Sequence, residues 1–200
     1  MSERPDPSQA LRIVVVEPDR DRALMIVDAL RAAGPYEAVV VAQTSGLARR
    51  IAAAAPDLVL VDLASPSRDV IEELALASSP MERPVALFVD ESADGLAEAA
   101  IEAGLSAYVV AGLSAERIKP VLDAATARFG MIQRMRAELD ATRRALEERK
   151  VIDRAKGLLM KARGISEDEA YAMLRRAAMS QNKRIPDVAQ ALVTAADLLG

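Results

Sequence analysis

The 200-residue chain has no cysteine, no histidine and no tryptophan. Without cysteine there are no disulfides or thiolate zinc clusters. Without either residue the usual nucleophile and base of an acyl- or group-transfer enzyme are missing, so an enzyme is not expected. Asp and Glu are the only hard ligands, which leaves a weak Mg²⁺ or Ca²⁺ site as the one metal site available; no other cofactor is expected. Aromatic residues make up 2% of the chain, which argues against base stacking on exposed rings. No run approaches the roughly eighteen apolar residues of a membrane helix, and the opening MSERPDPSQA has no apolar signal region. Residues 1–10 therefore read as a disordered N-terminus, and the protein as cytoplasmic with no membrane contact.

What is present is a globular composition, 52% hydrophobic and 28% charged, with an uneven charge distribution. Residues 131–200 hold 14 Lys and Arg against 10 Asp and Glu, a net +4, which leaves −8 for the first 130. A polyanionic partner would meet the C-terminal part.

Residues 11–128 alternate five short β-rich runs (LRIVVV, EAVVVA, DLVLVDL, PVALFVD, SAYVV) with segments of helical pattern. Strands that are hydrophobic throughout, rather than at every second residue, are buried on both faces, so the pattern predicts a doubly wound α/β domain with a five-stranded parallel sheet of order 2-1-3-4-5. Ligand sites in such sheets lie at the carboxyl ends of strands, and here those ends carry Glu17, Asp19 and Asp62.

Residues 116–149 contain no loop signal and predict a long connecting helix. With Ile118, Ala125, Ile132, Leu139 and Leu146 at heptad position a, that position is wholly apolar; position d, which includes Met135, is mixed. The helix can serve as a coiled coil in a homodimer or pack back on its own sheet domain.

Residues 146–200 predict a three-helix bundle. Val151, Ile152, Ala155, Leu158, Leu159 and Ala162 mark one helix face, and Gly164 stops that helix. Ser166 and Glu169 form a capping box for a second helix with Ala170, Leu174, Ala177 and Ala178 inward. After the break SQNKR, Pro186 suits the first turn of a third helix, with Val188, Leu192, Ala195 and Leu199 inward. Opposite the first apolar face, Lys150, Arg154, Gly157 and Lys161 form one stripe, while Arg175, Arg176, Asn182, Lys183 and Arg184 edge the second helix and the turn after it. Such cations either neutralise phosphates, with Gly157 letting a sugar-phosphate backbone come close, or form a solvated face. Tyr171, the one aromatic of this bundle, is expected at the edge of its core.

The segment ERKVIDRAKGLLMKARGISEDEAYAMLRRAAMSQNKRIPDVA resembles the ANTAR domain, through Ala155-Lys156-Gly157, Met160, Gly164-Ile165-Ser166, Glu169-Ala170, Leu174-Arg175-Arg176, Ala178-Met179, Asn182 and Val188-Ala189. The resemblance implies RNA binding: proteins of this family grip paired hairpin loops in a leader transcript and prevent a terminator from forming. Lys156 joins the candidate contacts on this basis.

The sheet domain resembles the receiver (flavodoxin-like) domain of response regulators. There, two acids after the first strand hold Mg²⁺, an aspartate ending the third accepts a phosphoryl group, and a Thr or Ser and a Lys complete the switch. Asp62 matches the acceptor and Glu17 one acid, with Asp19 assisting in a weak Mg²⁺ site. Pro18, Val89 and Ala111 stand where the second acid, the hydroxyl and the lysine belong, which implies a pseudo-receiver. The run SPSRD after the third strand is also similar to a NasT-like subgroup held through protein contacts, so a sensor protein or sensor kinase is the upstream partner implied. The alternatives are a DNA-binding two-component response regulator and a pure interaction module. Against DNA, the last helix carries no Lys or Arg to read a major groove.

Overall fold

A computed structural model describes residues 10–43 and 46–199. All of the expected disordered N-terminus but Ala10 lies outside them, as does the side chain of Leu199. The chain divides into two compact units, residues 1–133 and 134–200. Among the described residues no helix is long and apolar enough to cross a membrane.

The first unit alternates β1 (Leu11–Val16), α1 (Arg20–Ala33), β2 (Tyr36–Val41), α2 (Leu47–Ala54), β3 (Leu58–Leu63), α3 (Arg68–Ser78), β4 (Val85–Val89), α4 (Leu96–Glu102) and β5 (Ala107–Val110), and takes in the start of α5 (Ala115–Arg163). All strand pairs are parallel, in the order β2-β1-β3-β4-β5, as the uninterrupted apolar runs require. Side chains alternate across the sheet. Val14, Val16, Val59, Val61 and Leu87 pack with residues of α2, α3 and α4 on one face. Ile13, Val15, Leu60 and Phe88 pack with Ile26, Leu30, Ile118, Leu122 and Ala125 on the other. Each such Val, Leu, Ile or Phe side chain, taken out of water, favours folding by about 1.5–3 kcal/mol.

The second unit holds the rest of α5 with α6 (Glu167–Gln181) and α7 (Ile185–Leu199). The connecting helix and the first bundle helix are one continuous element. Gly164 ends it at φ +65°. Both halves of the Ser166–Glu169 capping box form. Asn182 closes α6 in the left-handed region (φ 52°), which asparagine tolerates better than most residues. The core is Ala155, Leu174, Ala189 and Val193, flanked by Val151, Ile152, Leu158, Leu159, Ile185, Val188 and Leu192. Ala170 and Ala178 are also buried, so small side chains let the helices approach closely. Two expected inner positions are corrected. Ala162 is exposed in the last turn of α5, and Ala195 is exposed because the inner face of α7 runs through Ala189 and Val193.

Candidate receiver pocket and nucleic-acid interface

At the carboxyl edge of the sheet, Glu17 follows β1, Asp62 lies near the end of β3 and Asp90 follows β4. The guanidinium of Arg22, from the first turn of α1, sits among all three. Its Nη2 and Nε donate to Asp62 Oδ2 at 2.8 and 3.3 Å. Nη1 and Nη2 donate to Asp90 Oδ2 and Oδ1 at 2.9 and 3.3 Å, and Nε lies 3.4 Å from Glu17 Oε2. The hydrogen bonds it donates to Asp90 and Asp62 push the Arg22 pKa up, and Arg22 in turn holds the Asp90 carboxyl below the usual carboxylate range. Burial raises Glu17, against the hydrogen bond that it accepts from the Asp19 N–H.

Asp19 is therefore corrected: its side chain caps α1 by accepting from the Arg22 N–H at 2.9 Å, and Asp90 is the third acid around the guanidinium. Arg22 and Asp90 escaped the sequence reading, since Arg22 lies 40 and 68 positions from the carboxylates it joins. A divalent cation does not fit this arrangement. Glu17 Oε1 is taken by the Asp19 N–H, Asp62 Oδ2 by Arg22, and Pro18 offers no side-chain oxygen. Among the described residues no cluster of three metal-ligating side chains forms. Val89 is buried, and Ala111 adopts φ +73° in the loop after β5. Beside it, a Cβ on Gly112 would stand 2.7 Å from Asp90 Oδ1, so a side chain there would push that carboxylate aside. Arg117, early in α5, donates to the carbonyls of Val110, Ala111 and Gly112 and so ties this loop to the helix.

The heptad positions separate into two groups. Ile118 and Ala125 are fully buried in the receiver's own core, so these two are corrected: they are closed to a partner helix. Ile132 is half-buried, while Met135, Leu139 and Leu146 are exposed.

In the bundle, Lys150, Arg154, Gly157 and Lys161 are exposed along α5. Lys150 pairs with Glu147 at 2.7 Å and Arg154 with Asp197 of α7 at 2.6 Å, both in solvent, where an ion pair adds little and a competing anion can displace it. Lys156 differs: 14% exposed, it bridges Asp153 and Glu167 at 2.6 Å each and so clamps α5 to the start of α6. Those two hydrogen bonds raise its pKa. Beside the stripe, a shallow groove of about 690 Å³ is lined by Arg149, Lys156, Gly157, Met160, Glu167 and Tyr171 among others. Gly157 lies on the edge shared by groove and stripe, with nothing within 4 Å of where a Cβ would stand. A second groove of about 630 Å³ brings together Arg175, Met179, Asn182, Lys183 and Arg184; Glu148 and Ile152 line both. Arg184 is hydrogen-bonded to Glu148 and Asn182 caps α6, so each has a structural partner as well as an exposed surface. Arg176 is exposed outside both grooves. Arg149, Met160, Tyr171 and Met179 were not selected as contacts from the sequence; only their place beside the basic residues distinguishes them.

Residues 140–193 match the ANTAR domain. The chain is 33% identical over 138 residues to the transcriptional regulatory protein PdtaR of Mycobacterium tuberculosis, an alignment covering 69% of this chain and 67% of the relative. It is 41% identical over 63 residues to the nitrate regulatory protein of Klebsiella oxytoca, covering 32% of this chain and 16% of that protein. Among solved structures, a signal receiver domain from Vibrio parahaemolyticus superposes with a TM-score of 0.51 at 18% identity, covering 64% of this chain and 98% of that one. The signal receiver domain of a modulated diguanylate cyclase from Desulfovibrio desulfuricans gives 0.50 at 16%, covering 62% and 98%; both show the fold alone. The chain belongs to the ANTAR family of transcription antitermination response regulators, with a receiver domain ahead of its ANTAR domain.

Proposed function

We propose that this protein binds RNA through its C-terminal bundle, gripping paired hairpin loops of a leader transcript in the cytoplasm so that a terminator does not form. The observation that carries the reading is Gly157. Glycine inside a helix costs stability, and here no neighbouring atom forbids a side chain. A reason for it must lie outside the folded chain. An RNA backbone that approaches α5 closely, its phosphates met by Lys150, Arg154 and Lys161 and by Arg175, Arg176, Lys183 and Arg184, supplies that reason. Lys156 and Asn182 support the surface through the clamp and the cap described above.

The exposed Met135, Leu139 and Leu146 support a homodimer through α5, which would bring two bundles to two hairpins at high effective concentration. Control comes through the receiver and an upstream sensor protein or kinase, by protein contacts rather than efficient phosphorylation of Asp62. The test is an electrophoretic comparison of a two-hairpin RNA, the matching duplex DNA and a scrambled RNA. Retardation of the two-hairpin RNA alone is expected. Equal retardation of DNA would favour a DNA-binding response regulator, and no retardation a pure interaction module.

A further inference from the structure

We propose that Arg22 is the resident cation of the receiver pocket: it takes the place of a divalent metal among Glu17, Asp62 and Asp90 and keeps the receiver in one state without Mg²⁺ or a phosphoryl group. The inference concerns the receiver alone and stands independently of RNA binding.

Three carboxylates from three strand ends surround the Arg22 guanidinium, and two of them, Glu17 and Asp62, are buried. A cation among them offsets the cost of holding such like charges ionised together. The chain supplies that cation itself. Asp19 accepts from the Arg22 backbone N–H, so the side chain starts from a fixed point in the first turn of α1. The planar guanidinium then satisfies both Asp90 oxygens and Asp62 Oδ2 with four hydrogen bonds, a fit that a lysine ammonium would not reproduce.

The same geometry closes Asp62 to phosphoryl donors. Oδ2 lies behind two N–H groups of Arg22, and Oδ1 is out of reach of solvent. An attacking oxygen needs an open line to phosphorus with cations around the transferring group; here the cation covers the nucleophile. Beside Asp90, Gly112 and the Arg117 hydrogen bonds to the loop after β5 connect this pocket to the start of α5.

The test uses the full chain with Mg²⁺ as probe, as wild type, Arg22→Met and Arg22→Lys. Wild type is expected to show no heat of Mg²⁺ binding in calorimetry at millimolar MgCl₂ and no change in melting midpoint between MgCl₂ and chelator. Arg22→Met is expected to melt lower by roughly 5 °C or more in chelator. Arg22→Lys should fall between the two. Mg²⁺ binding by the wild type, or an Arg22→Met midpoint equal to wild type in chelator, would overturn the inference. The wild-type calorimetry decides it even if Arg22→Met does not fold.

Discussion

Gly157→Ala separates folding from binding because the two respond in opposite directions. A Cβ at position 157 meets nothing within 4 Å, so the folded bundle has no steric objection to it. Alanine inside a helix is favoured over glycine by about 1 kcal/mol, chiefly because the unfolded chain loses freedom. The variant should therefore be more stable by roughly 0.5–1 kcal/mol, read as a rise of a few degrees in the thermal midpoint. If an RNA backbone rests on α5 at this point, the added methyl group holds it away from the cations on both sides. Affinity for a two-hairpin RNA should then fall at least tenfold, about 1.4 kcal/mol, in a fluorescence-anisotropy titration. Gly157→Leu should be as well folded and weaker still. A stabilised Gly157→Ala that binds RNA as tightly as wild type would refute the reasoning, because the glycine would then have no use on the open face of the helix.

Replacing Lys150, Arg154 and Lys161 together by Ala should flatten the salt dependence of RNA binding by about 0.7 per lost contact on a double-logarithmic plot, so about 2 in all; Arg143 and Arg144, interleaved with acids on α5, serve as the control whose loss leaves the slope unchanged. Asp62→Asn should leave RNA affinity nearly intact with or without acetyl phosphate, measured by the same titration. Leu139→Glu with Leu146→Glu should convert a dimer to a monomer in the presence of RNA, measured as mass in solution by light scattering. Ser166→Ala should destabilise the bundle by about 1 kcal/mol in denaturant titrations. The cap also carries a pH signature. The Ser166 N–H and hydroxyl, each 2.9 Å from Glu169 Oε2, hold that carboxyl below its ordinary value of 4.5, so the unfolded chain takes up the proton first as pH falls. Its contribution is full above about pH 4.5 and is lost as pH falls through the lower folded value, and Glu169→Gln should flatten acid melting in that window.

The fold was largely legible because burial on two faces leaves nearly unbroken apolar runs: VALFV, and LVLVDL apart from Asp62, read as interior strands. The bundle was legible through its punctuation, Gly164 and the Ser166–Glu169 box. What the sequence concealed were features that depend on long side chains and on packing partners. Arg22 and Arg20 look alike on the page, yet only Arg22 reaches Glu17, Asp62 and Asp90. One apolar heptad position concealed two jobs, since Ile118 and Ala125 fill the receiver core while Leu139 and Leu146 face solvent. Which residues are exposed cations was legible by type and spacing. Which carboxylates hold them was not, because Arg154–Asp197 and Arg184–Glu148 join residues 43 and 36 positions apart.

The central claim, that the outer surface of the C-terminal bundle takes up folded RNA, is tested most directly by ultraviolet crosslinking of a two-hairpin RNA to the full chain, with the modified peptides mapped by mass spectrometry. Crosslinks on residues 149–161 of α5 and on residues 171–184 are predicted, with none in the receiver. Crosslinks confined to α7, or falling in residues 10–128, would contradict it.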